Sequence, residues 1–248
     1  MAKVFLGIGH GGSDPGAVAN GFKEADLNLE IGMACYEELK RHGVFVKTSR
    51  TKDENDDLNE EIRECNAYAP DLAVDIHNNA GGGDGFEVFH HYGGGTGKTL
   101  AANINAEVIA IGQNSRGIKT KKNSTGTADY YGFIRNTKAP AVIVECAFVD
   151  NKKDMEIIDT AAERKEFGKA LARGILKTLN IKYKEESSTV ATKTTFRDEA
   201  KIPPWALDSV KKVSDKGIMV GDNYGNFRPN EAITRAEFAV AIARALKL

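Results

Sequence analysis

The fold is indicated first by residues 72–80, which read Leu72-Ala73-Val74-Asp75-Ile76-His77-Asn78-Asn79-Ala80. A short apolar run, Leu72–Ile76, passes directly into a histidine and then into polar residues, which is typical of a buried strand that ends in a loop. Four further runs are rich in Val, Ile and Phe, and we interpret them as strands as well: Lys3–Ile8, Val44–Thr48, Phe86–His90 and Ala141–Phe148.

Helical patterns lie between these strands. Glu24–His42 places Leu27, Ile31 and Leu39 on one face and stops at Gly43, a natural C-terminal residue for a helix. Similar patterns occupy three more segments: Asp57–Tyr68, Thr99–Ile111 and Arg164–Leu179. Because strands alternate with helices of this length, we predict an α/β fold with a twisted, largely parallel sheet flanked by helices.

Composition sets mild limits on function. The chain has 248 residues, 41% of them hydrophobic, and a formal net charge of -1, so nothing in its overall charge predicts nucleic acid or an acidic membrane surface as a partner. No segment has the roughly 20 apolar residues of a membrane span, and the first residues do not resemble a signal peptide. The three cysteines are far apart, which fits reduced thiols in a protein made in the cytoplasm.

The chain is predicted to have two domains. Residues 1–181 carry the strand and helix alternation, and residues 182–195 are polar, without periodicity, and typical of a linker. Residues 196–248 form a small, mostly α-helical C-terminal domain, with one helix at Trp205–Lys216 and a second that follows a capping box at Thr234-Arg235-Ala236-Glu237. We expect Trp205, Val210 and Val213 to face inward.

Four polar residues stand where strands run out or a helix begins: His10, Glu24, His77 and Glu145. Ligands of parallel sheets gather at the carboxyl ends of strands, where His10, His77 and Glu145 are placed. Imidazole nitrogen and carboxylate oxygen suit Zn²⁺, and a catalytic zinc keeps three protein ligands and one open position. The four residues therefore indicate a zinc site in which three groups bind the metal and one acts as the base.

Two glycine-rich segments suggest nucleotide binding instead. Gly7–Gly12 satisfies G-x-G-x-x-G, but the segment Ser13–Gly21 separates its last glycine from the next helix. Gly93–Thr99 contains Gly-Lys-Thr, but Tyr92 stands where the first glycine of a P-loop belongs. A nucleotide-binding protein is therefore a weaker hypothesis than a zinc enzyme.

The motifs together resemble a known family. Gly9–Ala17, Glu24, residues 75–80 and Pro140–Phe148 resemble the zinc-dependent N-acetylmuramoyl-L-alanine amidases of bacterial cell-wall hydrolysis, including phage endolysins, in the family's order. The resemblance covers roughly residues 1–181. It implies that His10, Glu24 and His77 bind one Zn²⁺ and that Glu145 is the catalytic glutamate. Asp75 stands where serine is common in the family, and we expect it to tune the surroundings of the metal rather than bind it.

The C-terminal domain resembles a single S-layer homology module. The resemblance rests on six short stretches: Phe196-Arg197-Asp198, Trp205-Ala206, Gly217-Ile218, Gly221, Gly225–Pro229 and Ile233–Glu237. It implies binding of secondary cell-wall polysaccharide through residues 196–248. Such modules usually occur in threes, so a single copy leaves the strength of wall binding and self-association through this domain open.

The implied reaction is hydrolysis of the peptidoglycan amide between the lactyl group of N-acetylmuramic acid and L-alanine. Zinc hydroxide attacks the carbonyl, while Glu145 takes a proton from the water and gives one to the departing nitrogen. Three alternatives stay open: a zinc peptidase that cuts another wall amide, a sporulation or autolytic amidase, and a non-catalytic wall-adhesion or nucleotide-binding protein. With no signal peptide recognised, we expect synthesis in the bacterial cytoplasm and action on the wall after release, as in phage lysis. The target species stays undetermined.

Overall fold

The computed structural model describes residues 1–185, 196–222 and 224–246. The chain forms two compact units, Met1–Tyr183 and Lys184–Leu248. The ring of Tyr183 stacks on that of His42 with 4.8 Å between centroids, so the first unit extends two residues beyond the expected boundary at Ile181. The predicted linker, 182–195, lies outside the described residues from position 186 onward.

The secondary structure of the first unit consists of eight strands and six helices. The strands are β1 (Lys3–Ile8), β2 (Val18–Ala19), β3 (Phe22–Lys23), β4 (Phe45–Thr48), β5 (Leu72–Asn79), β6 (Phe86–His90), β7 (Ser115–Lys119) and β8 (Ala141–Phe148). The helices are α1 (Glu24–Arg41), α2 (Leu58–Tyr68), α3 (Thr96–Ala110), α4 (Gly132–Asn136), α5 (Lys152–Met155) and α6 (Ala161–Thr178).

Six strands form one mixed sheet in the order β4-β1-β5-β8-β6-β7. All neighbours are parallel except β6 and β8, which are antiparallel, so the prediction of a largely parallel sheet flanked by helices is confirmed. The central strands β1, β5 and β8 are buried along most of their length, because helices cover both faces. Strands β2 and β3, of two residues each, form a separate antiparallel hairpin before α1.

One face of the sheet carries the main hydrophobic core, under α1, α3 and α6. Phe167 of α6 is fully buried there. Its neighbour Gly168 allows close helix packing, since a Cβ at this position would lie 2.5 Å from the carbonyl oxygen of Ile31 on α1. Helix α6 begins at Thr160 with a reciprocal capping box to Glu163.

The opposite face carries a smaller apolar cluster and, beyond it, charged side chains. Helices α2 and α4 cover this cluster, whose buried members are Phe5, Ile62, Cys65, Ala73, Phe89, Phe133, Ile134, Ala141 and Ile143. Asp57 caps α2 by accepting from the backbone amides of Asn59 and Glu60. The polar residues near the carboxyl ends of the strands lie next to this apolar cluster.

One strand boundary at the candidate site differs from the expected one, and one strand of the sheet was not expected. The expected end of β5 at Ile76 is wrong, because the strand continues to Asn79. Pairing between β5 and β8 extends through His77 opposite Glu145 and, after a register shift, through Asn79 opposite Phe148. Strand β7 was not predicted, since Ile118 is its only large apolar residue.

The second unit contains two main helices, α7 (Pro204–Asp215) and α8 (Arg235–Ala245). The capping box before α8 is confirmed: Thr234 Oγ1 accepts from the Glu237 amide at 3.1 Å, and Glu237 Oε2 accepts from the Thr234 amide at 2.8 Å. The expectation that Trp205 faces inward is wrong, since it is 85% exposed. At 100° per residue it lies about 140° around α7 from the buried Val210.

The described residues of the second unit bury little apolar surface. Its core consists of Phe196, Ile202 and Val210, and the ring of Phe196 packs at a tilt against that of Phe227 with 5.1 Å between centroids. Beside α8 lies an apolar groove of about 500 Å³, lined in part by Val220, Ile233 and Val240.

Candidate active site

The sheet and α1 bring His10, Glu24 and His77 together. His10 follows β1, Glu24 is the first residue of α1, and His77 lies near the end of β5. Their ligand atoms all lie within 4.8 Å of one another, and the two imidazole rings meet edge to face with 5.1 Å between centroids. Glu24 follows His10 by 14 positions and His77 follows Glu24 by 53, yet the three residues form one cluster. The cluster offers two nitrogen donors and one oxygen donor, a set that suits Zn²⁺.

Glu24 is the centre of this cluster. Its Oε1 lies 3.2 Å from Nε2 of His10 and 3.2 Å from Nδ1 of His77. Burial disfavours the charged form of Glu24, but hydrogen bonds from both histidines outweigh it and hold its pKa well below the usual range. The carboxylate is therefore ionised at neutral pH, as a metal ligand must be.

Each histidine turns its second nitrogen to an aspartate. His10 Nδ1 lies 2.8 Å from Oδ2 of Asp14, and His77 Nε2 lies 3.4 Å from Oδ1 of Asp75. A carboxylate behind a metal-binding histidine fixes the tautomer and the ring orientation. Asp75 and His77 are two residues apart in β5 and so share a face of the sheet.

Glycines and one buried arginine hold the loops around the cluster. Gly9 passes beneath the ring of His77, so that a Cβ at Gly9 would lie 2.0 Å from Cε1 of that ring. Arg50 is 2% exposed and donates to the carbonyl oxygens of Ile8 at 2.9 Å and Ala25 at 2.7 Å. The arginine thereby ties the end of β1 to the start of α1. The burial of Arg50 was not predicted from the sequence.

Glu145 lies beside the cluster, in the middle of β8. Its neighbour on β5 is His77, and its neighbour on β6 is Glu87. Burial raises the pKa of Glu145 to about 7, an effect that nearby His77 opposes. A carboxyl group with this pKa can both accept and donate a proton near neutral pH.

Charged side chains on β6 and β7 were missed by sequence reasoning. Glu87 is buried and forms ion pairs with Arg116 and with Lys119, the latter at 2.7 Å. These cations hold the pKa of Glu87 below its usual range although burial opposes it. The one indication in the sequence of these charged partners was the position of Glu87 within the apolar segment Phe86–His90, because a buried acid in a strand requires a partner.

Two family models match the chain. Residues 4–177 match the family described as N-acetylmuramoyl-L-alanine amidase, and residues 195–239 match the S-layer homology domain. The first match covers the whole sheet and all four candidate site residues.

Similar proteins and structures agree with this match. A sporulation-specific N-acetylmuramoyl-L-alanine amidase of Bacillus subtilis is 31% identical over 228 residues, which cover 90% of this chain and 86% of the relative. An endolysin of Bacillus phage SPP1 is 35% identical over 198 residues, covering 76% and 70%. The structure of Cwp6 from Clostridium difficile superposes with a TM-score of 0.70 at 36% identity, covering 72% of this chain and 29% of that one.

The chain therefore belongs to the N-acetylmuramoyl-L-alanine amidase family. It is a peptidoglycan hydrolase with amidase activity that acts on the cell wall, and it carries an S-layer homology domain after its catalytic unit. None of the helices among the described residues is long and apolar enough to span a membrane.

Proposed function

We propose that this amidase is zinc-dependent, with His10, Glu24 and His77 as the metal ligands and Glu145 as the general base and acid. The observation that carries the proposal is the convergence of three donor atoms within 4.8 Å, with Glu145 directly across the strand pair from His77. The donor set fits the metal: two imidazole nitrogens and an ionised carboxylate leave the fourth position of a tetrahedral site free.

When bound, Zn²⁺ lowers the pKa of a coordinated water toward ~7 and polarises a carbonyl oxygen. Glu145 accepts the proton of the attacking water on its carboxylate, which is half ionised near neutral pH. The carbon–nitrogen bond between the lactyl carbonyl and L-alanine then breaks. Glu145 returns the proton to the alanine nitrogen, so the products are a lactyl carboxylate and a free stem-peptide amine.

The arrangement of the other residues supports these roles. Asp14 is hydrogen-bonded to Nδ1 of His10 and Asp75 lies 3.4 Å from Nε2 of His77, so His10 Nε2 and His77 Nδ1, both beside Glu24, are the nitrogens that would hold the metal. The backbone amide of Asn78 donates to Glu24 Oε1 and that of Ala17 to Oε2, at 3.1 and 3.0 Å. These contacts fix the carboxylate before any metal arrives, so little reorganisation accompanies binding.

Two measurements test the assignment. Purified peptidoglycan digested with the zinc-loaded enzyme should yield new N-terminal L-alanine, and treatment with a chelator should abolish the reaction. Glu145→Gln should keep one zinc per chain and lose turnover, whereas His77→Ala should lose the metal. New chain ends at any other residue would instead indicate a zinc peptidase, and full activity after removal of zinc would contradict the metal assignment.

We propose further that residues 196–248 bind secondary cell-wall polysaccharide. The support is the family match over residues 195–239. The full chain should sediment with purified walls and should stay in solution when the walls have been stripped of that polymer. Because only one module is matched, binding should strengthen if chains associate through it, and equal binding below and above the dimerisation concentration would contradict self-association.

We propose also that the enzyme is made in the cytoplasm and reaches the wall after release, as phage endolysins do, with a sporulation or autolytic role as the alternative. The named relatives include both an endolysin and a sporulation-specific amidase. Cytoplasmic expression in a sensitive host should cause lysis only when a membrane-permeabilising protein is produced with it. Lysis without such a protein would contradict this proposal.

A further inference from the structure

Two buried carboxyl groups lie behind His77, on the side away from the metal position. Asp75 of β5 is 2% exposed and Glu61 of α2 is 4% exposed. Oδ1 of Asp75 and Oε1 of Glu61 are both buried and neither makes a hydrogen bond among the described residues, although Nε2 of His77 lies at an ion-pair distance of 3.4 Å from Oδ1 of Asp75. An unsatisfied buried carboxylate oxygen is costly, so this pair needs a physical explanation.

The two oxygens approach each other over Gly7 of β1. A Cβ built on Gly7 would lie 1.8 Å from Oε1 of Glu61 and 2.7 Å from Oδ1 of Asp75. The two oxygen atoms are therefore neighbours, and the absence of a side chain at position 7 makes room for both. A single proton held between them would satisfy both oxygens and remove the repulsion between two negative charges.

The surroundings of the pair favour a neutral Glu61. Its neighbours on α2, Ile62 and Cys65, belong to the apolar cluster on this face of the sheet. Burial, reinforced by the charge of Asp75, raises the pKa of Glu61 well above its usual range. The third acid nearby, Asp56, has its own donor, since Ser49 Oγ lies 2.9 Å from its Oδ2.

Asp75 connects this pair to the metal site. Its Oδ1 lies 3.4 Å from Nε2 of His77, while Nδ1 of the same ring lies 3.2 Å from Glu24. If Asp75 accepts a hydrogen from Nε2, the ring is held in the tautomer that leaves the Nδ1 lone pair for the metal.

We propose that Glu61 and Asp75 form a carboxylic acid–carboxylate pair that positions His77: Glu61 donates to Asp75, and Asp75 accepts from Nε2–H of His77. This inference rests on the proposed zinc site. Asp75 and Glu61 are positioning residues, since both act through His77 and neither binds the metal. The contact of Asp75 with His77 differs in burial from the contact of Asp14 with His10. The side chain of Asp14 is 66% exposed, so water can compete for its contact with the ring.

The test uses zinc affinity of the full-length metal-free protein, measured by competition with a chromophoric chelator. Asp75→Asn should weaken zinc binding by ~10- to 100-fold, the usual effect of removing such a partner. Glu61→Gln keeps a donor toward Asp75 and should bind zinc like the wild type. Glu61→Met removes the donor, so Asp75 loses the contact that holds it against His77, and affinity should fall by about tenfold.

A matched control is Glu64→Gln, on the same helix, whose side chain forms a surface ion pair with Lys47 at 3.1 Å. It should leave zinc affinity unchanged. A second readout is the Nε2–H proton of His77 in the NMR spectrum of the zinc-loaded protein, which should be visible in the wild type and in Glu61→Gln and lost in Asp75→Asn. A merely structural role of Asp75 would lower the unfolding temperature and leave that proton in place.

The proposal is overturned if Asp75→Asn binds zinc as tightly as the wild type, or if Glu61→Gln and Glu61→Met have the same affinity. If Glu61→Met does not fold, Asp75→Asn and the Nε2–H proton still decide the question. Failure of the zinc assignment itself would look different, because the wild-type chain would then bind no zinc.

Discussion

The two faces of the central sheet are built from the same strands but differ in what they bury. The face under α1, α3 and α6 is packed with aliphatic side chains, whereas the face toward α2 and α4 has a small apolar cluster and then a group of buried acids beside the partly exposed His10 and His77. Alternate residues of β5 illustrate the contrast, since Val74 and Ile76 point into the main core and Asp75 and His77 into the site.

This difference shows how the fold separates stability from chemistry. The aliphatic face gains free energy from burial, and the site face loses some of it by desolvating charged groups. Variants on the first face should therefore lower the free energy of unfolding and leave metal binding intact. Variants on the second face should impair metal binding or turnover, and removing a buried charge there should not lower the free energy of unfolding.

Glu145→Gln should reduce kcat by about 10²- to 10⁴-fold, because the amide cannot accept the proton of the attacking water. Zinc content should stay at one per chain, since Glu145 lies beside the donor cluster and is not part of it. Steady-state hydrolysis of purified peptidoglycan, with metal analysis of the same sample, provides the measurement. A loss of less than about fivefold would remove Glu145 from its assigned role.

Phe167→Ala should lower the free energy of unfolding by about 3–5 kcal/mol, because it opens a cavity in the packed face under α6. Denaturant unfolding measures the change. Phe45→Ala is the control, since that ring is 52% exposed and its loss should cost much less. Zinc affinity of the folded Phe167→Ala protein should match that of the wild type, and a large drop would contradict the separation of the two faces.

Glu145→Gln should also stabilise the metal-free protein at alkaline pH. The folded-state pKa of Glu145, about 7, lies above its ordinary value of 4.5, so ionising it destabilises the fold as pH rises from about 4.5 to about 7. Above that range the full cost is about 3 kcal/mol. Unfolding curves should show the variant more stable than the wild type near pH ~8, with the gap closing near pH ~4. A gap that stays constant with pH would rule out this origin.

Gly9→Ala should weaken zinc binding by ~10- to 100-fold, since the new methyl group would occupy the place of the His77 ring and push it off the metal position. Gly97→Ala is the matched control, because a Cβ there lies 3.4 Å from its nearest neighbour and sits in the first turn of α3. Chelator competition on both variants provides the comparison. Equal affinities would show that the loop adjusts freely around His77.

Asp14→Asn should have the smallest effect, a decrease in zinc affinity of less than about tenfold. Its contact with His10 Nδ1 is exposed, so water can replace the lost acceptor. The same chelator assay measures it against Asp75→Asn, whose effect should be larger. Reversal of that order would show that burial does not determine the strength of these two supports.

Much of the fold could be predicted from the sequence, and so could the closeness of His10, Glu24 and His77. The apolar runs and the helices between them predicted the largely parallel sheet. The expectation that His77 and Glu145 follow the ends of their strands is wrong, because β5 continues to Asn79 and β8 to Phe148. The register could not be predicted, because alternation shows which residues share a face but not which residue lies opposite in the next strand. For that reason the pairing of His77 with Glu145 appears only in the structure.

The supporting residues were harder to find for a related reason. Arg50 and Glu61 look like ordinary surface charges in the sequence, and each becomes buried only because elements distant in the chain close over it. Glu61, for example, lies one turn into an amphipathic helix, where an acid is favourable whether or not it faces the core. The partner that makes it informative, Asp75, belongs to the following strand.

The pairing of β5 with β8 also has a consequence for folding. Side chains alternate along a strand, so a slip of one residue between these strands would turn His77 or Glu145 to the opposite face. The proposed ligands come from residues 10, 24 and 77, and the contacts that join them close long loops, which form slowly in folding. Metal uptake by a refolding chain would therefore report completion of the sheet, and a partly folded chain would lack wall-degrading activity.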